Sequence, residues 1–183
     1  GYGAIGHEHS RAVRAVDGLA LAAVCDTSQE RLDHAVAAAP GVATTTSADA
    51  LIDRDDVDLV VVSTPPSSHA HWALRVIAAG KHVVLEKPFA IRTAEADEVM
   101  AAAGDAGLLA VVYQNRRYDA DFVTMSQLIE SGAIGEVFQY DSFVGGFSRP
   151  CDYWHSDAAV SGGAIFDWGS HYLDQVLSVM PGT

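Results

Sequence analysis

The sequence predicts an α/β protein. A doubly wound parallel sheet comes first, followed by the beginning of a second α/β domain with a mainly antiparallel sheet. Apolar runs of strand length alternate with helical segments through residue 118, the pattern of a parallel sheet with helical crossovers. Runs such as Leu59-Val60-Val61-Val62 and Val83-Val84-Leu85 lack polar alternation, as strands buried on both faces do. After Tyr118 the character changes: the next strand candidate, Gly135 to Phe147, mixes polar and aromatic residues with partial alternation. The domains are therefore expected at residues 1–118 and 119–183.

The chain opens on Gly1-Tyr2-Gly3-Ala4-Ile5-Gly6, a G-x-G-x-x-G. A helix is expected over Arg11 to Val16 and a strand over Leu19 to Cys25, ending in Asp26, 20 residues after Gly6. This arrangement suits a dinucleotide. Gly1 allows a tight turn, Gly3 lets the backbone approach a pyrophosphate, and Gly6 permits close helix–strand packing. The helix N-terminus favours the phosphate charge. Asp26 would accept hydrogen bonds from ribose hydroxyls and repel a 2′-phosphate, favouring NAD over NADP, with NADP possible. A glycine turn followed by a solvated aspartate is the plainer alternative, and the strand that should precede Gly1 is absent.

Thr27-Ser28 can cap a helix from Gln29 to Ala39, closed by Pro40-Gly41. Val42 to Thr45 reads as a short strand, and Ser47 caps a short helix around Ala48 to Ile52. Val57 to Ser63 reads as a buried strand running into Thr64-Pro65-Pro66-Ser67-Ser68-His69. Two prolines make that stretch a loop at a strand's carboxyl end, the edge where open α/β sheets bind ligands. His69 falls in the first turn of the next helix, as a cap residue or a ligand contact, and Gly80 closes that helix. His82 to Leu85 then runs into Glu86-Lys87-Pro88. Pro88 biases Lys87 to an extended backbone, so the strand stops and holds an amine at the same edge. Thr93 can cap a helix to Ala106, stopped by Gly107. Leu108 to Tyr113 is a further strand, ending in the polar cluster Gln114-Asn115-Arg116-Arg117-Tyr118, either a solvated turn or another ligand-facing group.

Beyond the expected domain break, Phe122 to Ile129 reads as a helix, and Arg149 to Ser161 as irregular chain carrying Trp154, His155 and Asp157. A helix from Asp167 to Met180 closes the reading. Asp167, His171 and Asp174 share one face; Leu173, Val176, Leu177 and Met180 share the opposite, apolar face expected to anchor the helix. The polar face is either solvated or holds a carboxylate one turn from an imidazole, a pair that can tune a proton carrier. No further ligand shows the spacing of a metal site, so no metal is expected.

Composition narrows the partners. Acidic residues outnumber basic ones 24 to 11, for a net charge of -13, which argues against nucleic acid or an anionic membrane as partner. No apolar run is long enough to span a bilayer. Cys25 and Cys151 form neither a metal-ligand spacing nor a disulfide framework, which points to reduced thiols in the cytoplasm.

These motifs, in this order, resemble the Gfo/Idh/MocA oxidoreductases, the family of glucose–fructose oxidoreductase and inositol dehydrogenase. The residues carrying the resemblance are Gly1-x-Gly3-x-x-Gly6, the Thr64-Pro65 loop with His69, Glu86-Lys87-Pro88, Gln114-Asn115-Arg116-Arg117, and Gly163-x-x-x-Asp167-x-Gly169-x-His171-x-x-Asp174. The resemblance implies an N-terminal Rossmann domain with NAD(P) as cofactor. It also implies hydride transfer to or from a secondary hydroxyl or carbonyl of a sugar, polyol or related small molecule. Carried over, Lys87, Asp167 and His171 line the substrate site. Gly1, Gly3, Gly6, Asp26, Thr64, Pro65, His69, Glu86, Lys87 and Asn115 contact the cofactor. The missing first strand and the end at Thr183 read as a fragment of a protein that is homo-oligomeric at full length. His155, after Trp154, stands where many relatives have arginine. A redox-neutral, NAD-dependent glycoside-cleaving enzyme and a non-catalytic cofactor-binding relative are the alternatives to a dehydrogenase.

Overall fold

The computed structural model describes residues 1–146, 149 and 151–180. The chain divides into two compact units, Gly1–Val112 and Tyr113–Thr183.

In the first unit the helices carry the order β1 (Ala23–Cys25), α2 (Gln29–Ala38), β2 (Ala43–Thr45), α3 (Ala48–Ile52), β3 (Leu59–Val62), α4 (His69–Ala78), β4 (His82–Leu85), α5 (Thr93–Ala106) and β5 (Ala110–Val112), preceded by α1 (Ala4–Ala15). All pairings are parallel. β1 pairs with β2 through Val24 opposite Thr44, and β3-β4-β5 form a second sheet with Val61 opposite Val84 and Val84 opposite Val111. The expected sheet is thus two parallel pieces. The glycine turn touches the carboxyl end of each: Ser63, just past β3, donates its hydroxyl to the Gly1 carbonyl, and Asp26, just past β1, accepts from the Tyr2 N–H.

Local signals explain most boundaries. Ser28 and Ser47 accept hydrogen bonds from Arg31 N–H and Ala50 N–H, capping α2 and α3 as expected. Gly107 ends α5 in the left-handed conformation (φ 65°) that its missing Cβ permits. Thr93 is not the cap of α5; the helix begins at Thr93 itself, after an extended Arg92. α1 starts at Ala4 rather than at Arg11 as expected, directly after Gly3, so its N-terminus belongs to the glycine turn. The strand expected over Leu19 to Cys25 pairs only from Ala23, where β2 provides partners.

The main core lies between the three-stranded sheet and its helices. Ala73, Val76 and Ile77 of α4 and Val99 and Ala103 of α5 pack with Val62, Val83 and Leu85. Burying a Val or Leu side chain contributes about 1.5–3 kcal/mol, which fixes the height at which the strand ends emerge. A smaller cluster joins Tyr2 to Val24, Leu32 and Ala35. Leu59, Leu109 and Val111 are exposed, contrary to the uniform burial expected; among the described residues β3 and β5 are the outer strands of the three.

The second unit contains a single turn of 3-10 helix (Asn115–Tyr118), α6 (Ala120–Glu130), a 3-10 turn (Trp154–Ser156), α7 (Ala158–Ser161), a turn of π-helix (Ile165–Gly169) and α8 (Ser170–Val179). The polar cluster after β5 belongs to this unit because α8 holds it. Gln175 donates to the Arg116 carbonyl at 3.0 Å, and Arg117 forms a two-pronged pair with Asp174 at 2.6 and 2.7 Å. The strand expected over Gly135 to Phe147 does not form across residues 135–146, and Phe147 lies outside the described residues. A strand exists only by hydrogen-bonding a neighbour, and no described segment pairs with this one. The expected faces of α8 hold only in part. Leu173 and Leu177 are each 60% exposed while Val176 and Met180 are half-buried, and His171 and Gln175 are buried because their polar groups find partners in the Gln114–Tyr118 segment. The expected helix start at Asp167 falls in the π-helical turn.

Candidate functional site

The glycine turn is shaped by what a side chain would strike. A Cβ on Gly1 would come within 2.5 Å of the Ser63 carbonyl oxygen, and a Cβ on Gly6 would collide with the Gly1 carbonyl. These two glycines are therefore set by packing of the turn on itself and on the end of β3. Gly3 differs: the nearest atom to an added Cβ is Arg31 Nη1, at 3.9 Å. The space above it is open, as close approach by a ligand requires. No side chain caps the N-terminus of α1, so its first N–H groups point out of the helix with their partial positive charge. Open space above a glycine and uncapped donors at a helix start fit a pyrophosphate.

Asp26 stands beside this turn, 5% exposed. Its Oδ2 accepts from Tyr2 N–H at 2.6 Å and its Oδ1 from Ser28 N–H at 2.9 Å, while Arg31 Nη1 lies 3.4 Å from Oδ2. Burial pushes the carboxyl pKa up, but the Tyr2 and Ser28 N–H groups and the Arg31 guanidinium outweigh it and hold Asp26 below the usual carboxylate value. The negative charge is thus built into the turn rather than free at its surface.

The two other loops at this sheet edge are joined by His69. Its ring is 1% exposed, with Nδ1 2.8 Å from the Pro88 carbonyl and Nε2 2.9 Å from the Thr64 carbonyl. Thr64 and Pro65 are half-buried, and the Thr64 hydroxyl bonds the Ser68 hydroxyl. With one ring nitrogen at the Pro88 carbonyl and the other at the Thr64 carbonyl, His69 lies between the two loops.

Glu86, Lys87 and Pro88 follow β4 directly, with the Lys87–Pro88 peptide bond cis. Glu86 Oε1 lies 2.7 Å from His9 Nε2, and its Oε2 accepts from the Lys87 N–H at 3.1 Å. His9 comes from α1 and is buried. Nothing in the local sequence pattern marks it as a site residue. The available signal was a carboxylate at the end of an apolar strand, which requires a partner.

In the second unit, His171 is buried at the start of α8, with Nδ1 2.9 Å from Gln114 Oε1. The Gln114 amide nitrogen faces the Ser170 carbonyl at 3.5 Å, which fixes Oε1 toward the histidine. An acceptor at Nδ1 makes Nδ1 the protonated nitrogen of the neutral ring and leaves the lone pair on Nε2. Gln114 supplies an orienting contact to His171 that the sequence did not point to. Asp167 has its Oδ2 3.6 Å from His155 Nδ1, and the His155 ring stacks on Trp154 with centroids 3.9 Å apart. Asn115 is exposed at the start of the 3-10 turn. Asp174, on the expected polar face, is engaged by Arg117. Among the described residues no group of three His, Cys, Asp or Glu side chains is arranged to hold a metal ion, and no helix is long and apolar enough to cross a membrane.

Comparison with known proteins agrees with this geometry. Residues 1–114 match the Gfo/Idh/MocA oxidoreductase family, NAD-binding Rossmann fold, and residues 122–183 match the Gfo/Idh/MocA C-terminal domain. The chain is 36% identical over 140 residues to inositol 2-dehydrogenase of Gluconacetobacter diazotrophicus, covering 75% of this chain and 42% of that protein. It is 35% identical over 122 residues to scyllo-inositol 2-dehydrogenase (NADP(+)) IolW of Bacillus subtilis, covering 66% of this chain and 34% of that protein. The crystal structure of an NAD-binding protein from Listeria innocua superposes with a TM-score of 0.92 at 35% identity, over 99% of this chain and 53% of that one. The chain therefore spans about half the length or less of the relatives it matches. With both of its halves matched, the chain belongs to the Gfo/Idh/MocA family of oxidoreductases and carries that family's NAD-binding Rossmann fold.

Proposed function

We propose that the full-length protein oxidises a secondary hydroxyl of a sugar, polyol or related small molecule, with NAD as cofactor, and reduces the corresponding carbonyl in reverse. The observation carrying this reading is the position of Lys87. It leaves the carboxyl end of β4 in the unit that holds the glycine turn, and Glu86 and His9 bond its backbone to the helix that begins at that turn. The names of the two inositol dehydrogenases support the substrate class.

The glycine turn and the first N–H groups of α1 would hold the pyrophosphate, and Asp26 would meet the adenosine ribose. The negative charge of Asp26 disfavours a 2′-phosphate and so favours NAD. NAD, when bound, supplies the acceptor for the two electrons and the hydrogen that leave the substrate carbon. His171 accepts the hydroxyl proton, its ring held by the contact of Nδ1 with Gln114. Lys87, as an ammonium, stabilises the negative charge that grows on the substrate oxygen as that proton leaves. Asp167 contacts the substrate beside His155. Thr64, Pro65 and Asn115 are assigned to the cofactor, with His69 holding the first two in place through the Thr64 carbonyl.

The test is a panel of inositols, other polyols and sugars with NAD, read by nicotinamide absorbance, on wild-type, Lys87→Met and His171→Ala full-length protein. Each variant is expected to lose about 10²- to 10⁴-fold in kcat on the substrate that turns over. Near-native turnover in both variants, or product formation with no net change in nicotinamide absorbance, refutes the proposal.

A further inference from the structure

We propose that the second unit selects a ring-shaped substrate without an acid group: Trp154, braced by His155, takes the C–H face of the ring, while Asp167 and the unit's excess of acidic residues turn away carboxylates and phosphates. The proposal rests on the reading above that Asp167 contacts the substrate. Tyr153, Trp154 and His155 are consecutive, and the 3-10 turn over Trp154–Ser156 folds them onto one another. The Ser156 N–H donates to the Tyr153 carbonyl at 3.0 Å and the Asp157 N–H to the Trp154 carbonyl at 3.1 Å. The Cys151 sulfur lies 3.1 Å from the Ser156 hydroxyl, which pins the turn from outside. His155 stacks on Trp154 with centroids 3.9 Å and planes 23° apart, and Tyr153 meets His155 edge-on at 5.4 Å. On its ring edge His155 faces Asp167, with Nδ1 3.6 Å from Oδ2. One imidazole therefore links an indole to the carboxylate assigned to the substrate.

What such a pair recognises follows from its chemistry. An aromatic face carries partial negative charge. The axial C–H bonds on one side of a cyclic polyol or sugar carry slight positive charge and end in one plane, so they match an indole face in shape and in sign. One face of Trp154 is taken by His155, yet the residue stays 36% exposed. An open-chain polyol offers no such plane and has more rotors to order on binding. A substrate hydroxyl can donate to Asp167, whereas a substrate carboxylate or phosphate there meets a like charge, a repulsive element of the kind that makes a site specific. Little stands by to offset that repulsion. Residues 113–183 hold nine acidic residues against three arginines, and no lysine. Arg116 pairs with Asp119 at 2.7 Å and lies over the Trp168 ring, and Arg117 pairs with Asp174; the third, Arg149, is exposed. The Tyr153 phenol feels the resulting field: its pKa is raised, first by Cys151 beside it and in part by the charges of Asp167 and Asp152.

The experiment uses the full-length protein and two measurements. The first is calorimetric titration of the NADH-loaded protein with myo-inositol, inositol monophosphate, glucose, glucuronate and open-chain sorbitol. Each neutral ring that binds is expected to do so at least about 100-fold more tightly than its acidic counterpart, and about tenfold more tightly than sorbitol. His155→Arg sets a permanent cation beside Asp167 and is expected to close the gap between neutral and acidic rings by about tenfold. Trp154→Ala is expected to erase the preference for ring over chain, and Trp154→Phe, which keeps an aromatic face, to retain most of it. These ratios are taken between ligands within one variant, so a loss of stability alone does not move them. An acidic ring that binds as tightly as its neutral counterpart, an unchanged ring-to-chain ratio in Trp154→Ala, or no detectable binding of either neutral ring overturns the selectivity. The second measurement is nicotinamide absorbance with NAD on the same compounds. A neutral ring that binds selectively and is never oxidised leaves the selectivity standing and overturns the dehydrogenase reading. Preferred oxidation of glucuronate or of the phosphate overturns the selectivity and leaves the dehydrogenase reading intact.

Discussion

Replacing Asp26 by asparagine exchanges a carboxylate with two accepting oxygens for an amide with one. Two backbone donors converge on it, Tyr2 N–H on Oδ2 and Ser28 N–H on Oδ1, at 2.6 and 2.9 Å. After the exchange one of them faces an NH₂ group, in a place 5% exposed where water gives little relief. A hydrogen bond to a charged group contributes about 1.5–3 kcal/mol. Because about 1.4 kcal/mol is a factor of ten, the opening equilibrium of the glycine turn should rise about 10- to 100-fold. The assay is hydrogen exchange of the Tyr2 and Ser28 amides in the full-length protein, at matched pH, with residues of α5 as an internal control. The pH dependence has a definite sign. The folded-state pKa of Asp26 is lowered, so its contribution is complete above the unfolded value of about 3.9 and is lost as pH falls through the folded value. The difference between wild type and Asp26→Asn should be largest at neutral pH and close toward strong acid. Equal exchange at neutral pH, or a difference that grows on acidification, would refute the role of Asp26 as the anchor of the turn.

Other outcomes follow from the same geometry. Gly6→Ala drives a methyl into the Gly1 carbonyl and should lower both stability and cofactor affinity, whereas Gly3→Ala, with nothing nearer than 3.9 Å, should leave the melting temperature within about 1 °C and weaken NADH binding alone; fluorescence titration and thermal melts separate the two. Asp26→Ser should shift the NAD-to-NADP preference toward NADP, and an unchanged ratio of kcat/KM values would mean another residue discriminates. Gln114→Leu removes the acceptor that fixes the His171 tautomer and should cost about 10- to 100-fold in kcat with KM for NAD unchanged. Asp174→Asn breaks a pair whose arginine is half exposed, so it should cost no more than about 1 kcal/mol in urea unfolding and leave kcat near wild type.

The first unit was legible in the sequence because its signals are local. Ser28, Ser47 and Gly107 mark helix ends by chemistry within a few residues, and the runs at residues 59–62 and 82–85 are strands wherever they are placed in a parallel sheet. The segment at 135–146 shows the limit. Its alternation fits a strand, but a strand is a property of two segments, and the sequence does not name the second. The exposure of Leu173 and Leu177 on α8 has the same origin. A periodic apolar stripe predicts the buried face only when the polar face has water as its best partner; here Gln114 and the Arg116 carbonyl, more than fifty residues away, take His171 and Gln175 instead. His9, which was overlooked, lies in this class too. It is ordinary in its own neighbourhood and becomes notable only beside Glu86, as the contact of Gln114 with His171 does only in the fold.

The span of the contacts around the glycine turn has a consequence for how the protein is made. Tyr2 waits for Asp26, 24 residues later; Gly1 waits for Ser63, 62 later; and His9 waits for Glu86, 77 later. Chains emerge from the ribosome N-terminus first, at about 5–20 residues per second, so the turn stays unanchored for several seconds of synthesis. Residues 86–88 act as the closing latch of translation. Until they arrive, α1 carries a polar histidine with no carboxylate to meet it, and a chain halted before Glu86 has every glycine of the motif in place with no finished cradle around them.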